Sequence, residues 1–315
     1  MYAQRPSTLD LFSRTLPYVV LRMVAYAIFG LVLIFFAGAM AGIGFVAYQM
    51  FKGAAGALVV VGLIAIGGIW ALVSLGQRYV LYIIKAAHVA VITEIILHGD
   101  LPAGVDQVSY GREKVTKHFG SASAMFAVDQ IISGAVREIL RWLTGMAGFL
   151  SIIPGMTIII SIVRQVLGIA GNYIDEAVMS YIIAHENEDV WRSAADGVVL
   201  YAQSWKRMLW TAAILSLVVA AGWLVFFIII LLVLLGVARG LTNDPSLQIL
   251  FGFIGLVIAA IMANILRWIL VDPLATVAIV ANYTDAIRGQ TPSYDLRAQL
   301  SSISGKFRRL EQKVV

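Results

Sequence analysis

From Met23 to Phe51 the chain carries no charged side chain, and that run excludes most folds before any other residue is read. About 20 consecutive apolar residues cross a bilayer as a helix. Four more stretches, 53–77, 142–163, 208–238 and 245–266, are also free of charge and long enough. Of the 315 residues, 60% are hydrophobic and 13% charged. A soluble domain carries about twice that charge, and no water-soluble core hides so much apolar surface. The excess must face lipid. Backbone groups in lipid are satisfied only in helices or closed barrels, and strand-length alternation is absent. The chain therefore reads as an all-α, polytopic integral membrane protein whose first partner is the bilayer.

The first run is too long for a signal h-region and is expected to be a retained span. With no cysteine present, disulfides, thiolate metal ligands and thiol nucleophiles are excluded. The net charge of +5 comes from basic residues at segment ends. That pattern suits an anionic cytoplasmic leaflet and not a nucleic acid.

Orientation follows from lysine and arginine. The stretch between the first two runs holds only Lys52, and the stretch between the last two only Arg239, of 23 such residues in all. The positive-inside rule places both short loops outside and the rest, including both termini, on the cytoplasmic side. A single crossing by 142–163 would then put a basic flank outside. A hairpin entering and leaving on one side avoids this, and Pro154-Gly155 stands where its apex should break the helix. The expectation is four transmembrane helices plus a central broken hairpin in one membrane domain. Its parts are a first helix pair (17–98), a hairpin region (118–190), a second pair (191–290) and a basic tail (291–315). The alternative for 142–163 is a kinked span whose flank breaks the charge rule.

Amphipathic helices are expected on the cytoplasmic side. Met125, Val128, Ile132, Val136, Ile139 and Leu143 recur at three- and four-residue steps, opposite Asp129, Gln130, Ser133, Arg137, Glu138 and Arg141. Asp189 is placed to cap a second such helix reaching towards Trp210. A faint parallel repeat joins Ala90-Val91-Ile92 and His98-Gly99-Asp100-Leu101-Pro102 to Ile279-Val280-Ala281 and Arg288-Gly289-Gln290-Thr291-Pro292. Gln77 and Arg78 match Arg267 and Asp272 in depth. Ordinary glycine capping gives the same ending. Gly38 and Gly42 suit close helix packing, within the chain or between copies. Trp142, Trp191, Trp205, Trp210 and Trp268 fall near expected span ends, where tryptophan anchors at the interface.

Ionisable residues near membrane depth are the default functional candidates. The richest group is Asn172, Tyr173, Asp175 and Glu176, followed by Tyr181. Two carboxylates flanked by tyrosines can hold an organic cation through charge and cation–π contact. They can equally be solvated, or paired with Arg141 or Arg164. Asp272-Pro273 joins an acid to a helix break. Lys85 and His88 share a helix face that Glu94 does not. No enzyme is expected. The four histidines lack metal spacing, His185-Glu186-Asn187-Glu188-Asp189 lacks the second histidine of a zinc-protease motif, and no phosphate-binding loop, dinucleotide fingerprint or nucleophile elbow occurs. No cofactor is implied.

Four stretches, in order, resemble the C-terminal membrane region of choline-transporter-like proteins. They are His118-Phe119-Gly120-Ser121, Asn172-Tyr173, Ser193-Ala194-Ala195-Asp196-Gly197-Val198-Val199-Leu200 leading through Lys206-Arg207, and Thr276–Asp285 with Arg288-Gly289. The chain lacks that family's long N-terminal part and its cysteines. The resemblance implies a transporter-like helical fold and a cationic or amino-alcohol substrate, and carries over no site residue. Two functional expectations result. One is a transporter or channel-like protein with a pathway along the hairpin, small enough to call for a homo-oligomer. The other is a non-transporting scaffold or accessory subunit whose Lys306, Arg308 and Arg309 meet anionic lipid or a partner.

Overall fold

The computed structural model describes residues 7–50, 60, 63–64, 67–68, 71–72, 74, 76, 82–119, 127–128, 130–139, 166, 168, 171, 173–241, 243 and 245–314. Among them every regular element is a helix. Two helical stretches, Trp205–Gly240 and Ile258–Ala286, are long and apolar enough to cross a membrane. A third arises if Thr8–Arg14 and Leu16–Val32, bent by 60°, act as one. Much of the expected span 53–77 and all of 142–163, including Pro154 and Gly155, lie outside the described residues.

The chain opens with α1 (Thr8–Arg14), where Ser7 accepts from the Asp10 amide at 3.1 Å. Helix α2 (Leu16–Met50) then leaves at an angle. The corner is pinned. Arg14 donates to the Gly99 carbonyl at 2.7 Å and pairs with Asp100 at 3.1 Å, while the Gln107 amide donates to the Arg14 carbonyl at 2.6 Å. Beyond it α2 shows an apolar outer face, with Val24, Ile28, Leu31 and Phe35 all exposed. Gly42 has open space where a Cβ would stand, whereas Gly68 and Gly76 are closed off by Phe36 and Phe29 of α2. Gly68 and Gly76 are thus points of close approach to α2.

Two helices form the centre. In α3 (Tyr82–His98) nearly every residue from Ala86 to Ile96 is buried. In α9 (Asp272–Ala286) Ala275 to Ala281 and Tyr283 are buried. These are the two helices of the proposed repeat, and Ala90-Val91-Ile92 and Ile279-Val280-Ala281 are their core positions. Each is followed by a glycine at positive φ, Gly99 at 87° and Gly289 at 73°, where glycine alone carries no Cβ penalty. Around them pack α4 (Gln107–Phe119), α5 (Ile174–Ala184) and α6 (Val190–Gln203). Asp189 caps α6 through the Trp191 and Arg192 amides at 3.0 and 2.9 Å, as expected, but α6 stops at Ser204 instead of running on to Trp210. The small residues Ser193, Ala194 and Ala195 are wholly buried. Gly197 accepts from the Tyr283 hydroxyl at 2.9 Å.

The apolar runs follow as α7 (Trp205–Leu241) and α8 (Pro245–Leu266), which meet where Leu234 and Leu235 lie over Gly255 and Gly252. A π-helical turn, Arg267–Val271, joins α8 to α9. Trp205 and Trp210 are exposed. Trp191 instead lies under the Lys313 ammonium at 4.1 Å. The amphipathic pattern over 130–139 holds, with Ile132 and Val136 buried and Gln130 and Arg137 exposed; Met125, Asp129, Arg141 and Leu143 are outside the described residues. The tail folds into α10 (Tyr294–Ile303) and α11 (Gly305–Glu311), burying Phe307 and Leu310.

Where α3 and α4 cross, a Cβ on Gly111 would lie 2.6 Å from the Ala87 carbonyl and would also strike the Tyr18 hydroxyl. Backbone cannot yield as a side-chain tip does. Gly111→Ala should cost about 1–3 kcal/mol, read as a lowered thermal midpoint in detergent. An unchanged midpoint would show that the crossing is looser than described.

Candidate functional site

Helix α5 begins at Tyr173, so its first turn carries Asp175 and Glu176, where the helix dipole favours anions. The rest of that turn is apolar and packed. Glu176 is 2% exposed and Asp175 14%. A carboxylate so enclosed costs several kcal/mol unless a cation accompanies it. The cation is Lys85 of α3. Its Nζ lies 3.6 Å from Asp175 Oδ2 and closer still to Glu176 Oε1. Lys85 also stands 5.8 Å from the Tyr173 ring centroid, a cation–π contact. The Tyr173 hydroxyl donates to Asp272 Oδ1 at 3.0 Å, tying the start of α5 to the start of α9.

The electrostatics follow from burial. Burial opposes the charge on Lys85, but the Asp175 and Glu176 carboxylates outweigh it and hold the ammonium above the ordinary lysine range. Burial, reinforced by Asp175, pushes Glu176 well above the ordinary carboxylate range, against the pull of Lys85. One ammonium is thus shared by two carboxylates. One turn along α3 from Lys85, His88 is wholly buried and stacked on Tyr18 at 5.1 Å. Burial and then Arg22 lower its pKa well below 6.5, so the ring is neutral near pH 7.

Of the residues expected from sequence, Tyr173, Asp175, Glu176 and Asp272 come together. Tyr181 does not; it stacks on His185 at 3.9 Å. Asn172 lies outside the described residues. The counter-ion among the described residues is Lys85; Arg141 and Arg164 are also outside them. Glu94 turns away, as expected, and meets His98 at 3.0 Å. Sequence reasoning missed Arg22, only 6% exposed. Its signal was its position, the last charge before the run that begins at Met23. It also left Lys85 apart from the acids, because nothing local reveals that α3 crosses α5. Among the tail residues singled out, Arg308 and Arg309 are exposed and Lys306 is half-buried against Gly134.

Comparison with protein-family models, with curated proteins and with solved structures finds no match. The resemblance to choline-transporter-like proteins therefore rests on the four stretches given above.

Removing one member of a buried ion pair strands the other. Lys85→Met should cost about 3–5 kcal/mol, and adding Glu176→Gln to it should recover part of that loss. The two changes are expected to couple by about 0.5–3 kcal/mol in a double-mutant cycle of thermal or denaturant unfolding. Strict additivity would mean that the contact contributes nothing.

Proposed function

We propose that this chain is a membrane transporter or channel-like protein in which the Lys85, Asp175, Glu176, Tyr173 and Asp272 cluster handles the charge of a small organic cation. The observation that carries this reading is the convergence of ionisable side chains from three separate segments, buried where α3, α5 and α9 meet. Apolar partners of equal volume would hold such helices together at least as well. A buried charge cluster among apolar helices is therefore read first as functional. Four spans around a central hairpin, broken at Pro154-Gly155 with both termini cytoplasmic, fit the charge distribution. So small a set of spans calls for a homo-oligomer to complete a pathway.

In this reading Lys85 is the resident cation. It is 26% exposed against 2% for Glu176, so it is the member that swings outward. An entering organic cation takes its place against the Tyr173 ring and the two carboxylates. Uptake of small organic cations into proteoliposomes tests this. Asp175→Asn and Glu176→Gln should each abolish saturable uptake in protein that remains monodisperse and inserted. Full uptake in both variants would remove the cluster from the pathway.

A second reading, a non-transporting scaffold, is favoured by one observation. The tail helix α11 buries Phe307 and Leu310 and turns Arg308 and Arg309 outward. Those arginines would then meet anionic lipid or an acidic partner surface. Arg308→Gln with Arg309→Gln should weaken binding to anionic liposomes or to a co-purifying partner several-fold and leave uptake unchanged. Undiminished binding counts against the scaffold.

A further inference from the structure

Arg22 is a buried arginine with neither a hydrogen bond nor an ion pair among the described residues, and its Nη2 has no acceptor. One turn along α2, Tyr26 stacks on Trp268 with ring centroids 6.3 Å apart. The Arg267 guanidinium lies 5.8 Å from the same Trp268 ring, and its Nε is likewise buried without an acceptor. The stack packs α2 against the π-helical turn, with Arg22 one turn before Tyr26 and Arg267 next to Trp268. His88, within electrostatic reach of Arg22, offers no relief, since it carries no negative charge and neither ring nitrogen is hydrogen-bonded.

On this side of the cluster two guanidinium donors, Arg22 Nη2 and Arg267 Nε, are buried without an acceptor. Lys85 is already engaged by Asp175 and Glu176. Arg22 lies within electrostatic reach of Asp272 and Glu176 but forms an ion pair with neither among the described residues, and Asp272 Oδ1 already accepts from Tyr173. A guanidinium presents five N–H donors in a rigid fork that matches an oxyanion. Left without an acceptor in a closed site it costs several kcal/mol. Position narrows the ligand further. Arg22 is the last charge before the apolar run from Met23, and Arg267 the first after the apolar run ending at Leu266. The Tyr26–Trp268 stack brings these two edges of the apolar runs together, and tyrosine and tryptophan collect where a bilayer presents its phosphates.

We propose that Arg22 and Arg267 together bind one phosphate group, held where α2 packs against the π-helical turn. That group belongs to an anionic phospholipid headgroup or to a free phosphate ion. The assignment requires that these runs cross a membrane but does not rest on transport.

The test uses the full chain, purified and delipidated in detergent. Thermal midpoints are measured against inorganic phosphate at constant ionic strength, and separately in micelles doped with phosphatidic acid or phosphatidylcholine. Retained lipid is counted by native mass spectrometry. Phosphatidic acid should raise the midpoint and stay bound, and Arg22→Gln or Arg267→Gln should each weaken that binding about ten- to a hundredfold, as loss of a charge-assisted hydrogen bond does. A saturating rise with inorganic phosphate, lost in the same variants, would support the same site with free phosphate as its source. If Arg22→Gln does not fold, Arg267→Gln and Arg22→Lys carry the comparison. Stabilisation by neither phosphate source, or equal stabilisation of the wild type and the variants, overturns the proposal. Because binding is measured without flux, loss of uptake in Asp175→Asn leaves this result unaffected.

Discussion

A charge taken out of water must find its opposite inside the protein, and here that requirement organises the meeting of α3, α5 and α9. Lys85 cannot be accommodated by α3, whose neighbouring core positions are alanine, valine and isoleucine. Asp175 and Glu176 cannot be accommodated by α5 for the same reason. Each helix supplies what the other lacks. Tyr173 extends the arrangement to Asp272 through one hydrogen bond, so the first turn of α9, which carries Pro273, is held against the first turn of α5. The π-helical turn just before α9, Arg267–Val271, is the kind of local rewinding that re-aims side chains at functional positions.

The same principle works at lower stakes beyond the spans. Arg297 pairs with Asp196 and reaches Glu311 at 3.5 Å, joining α10 to α6 and α11. Glu138 accepts from the Ser304 hydroxyl at 2.8 Å and the Lys306 amide at 3.1 Å, and so caps α11 from another part of the chain. Burial of Phe307 and Leu310 provides the apolar part of that docking. A tail that reads as a basic extension is thus two short helices packed on the helical body. Its exposed charges include Arg308 and Arg309 on α11 and Asp295 on α10.

Much of this was legible in the residues. Asp189 followed by an amphipathic run announced α6, because a side-chain cap is a local interaction. The periodicity of Ile132 and Val136 announced their burial. Gly99 and Gly289 announced helix ends that the positive φ values bear out. Tyr173, Asp175, Glu176 and Asp272 were marked by their ionisable character in apolar surroundings. What could not be read were partners far apart in sequence, such as Lys85 for Glu176 or Trp268 for Tyr26. Tyr181 shows the converse error. Its nearness in sequence to Glu176 suggested a shared site, but its ring turns to His185 instead.

By itself, then, the sequence determined the solvent. Charge-free runs long enough to cross a bilayer leave helices as the form the backbone can take in lipid, and caps and glycines punctuate the parts outside. Tertiary structure decided which charges share a space. Helix crossings place Lys85 between two carboxylates and leave Arg22 and Arg267 short of an acceptor. No periodicity encodes that outcome, because electrostatic pairing depends on distance in space and on the dielectric around each group.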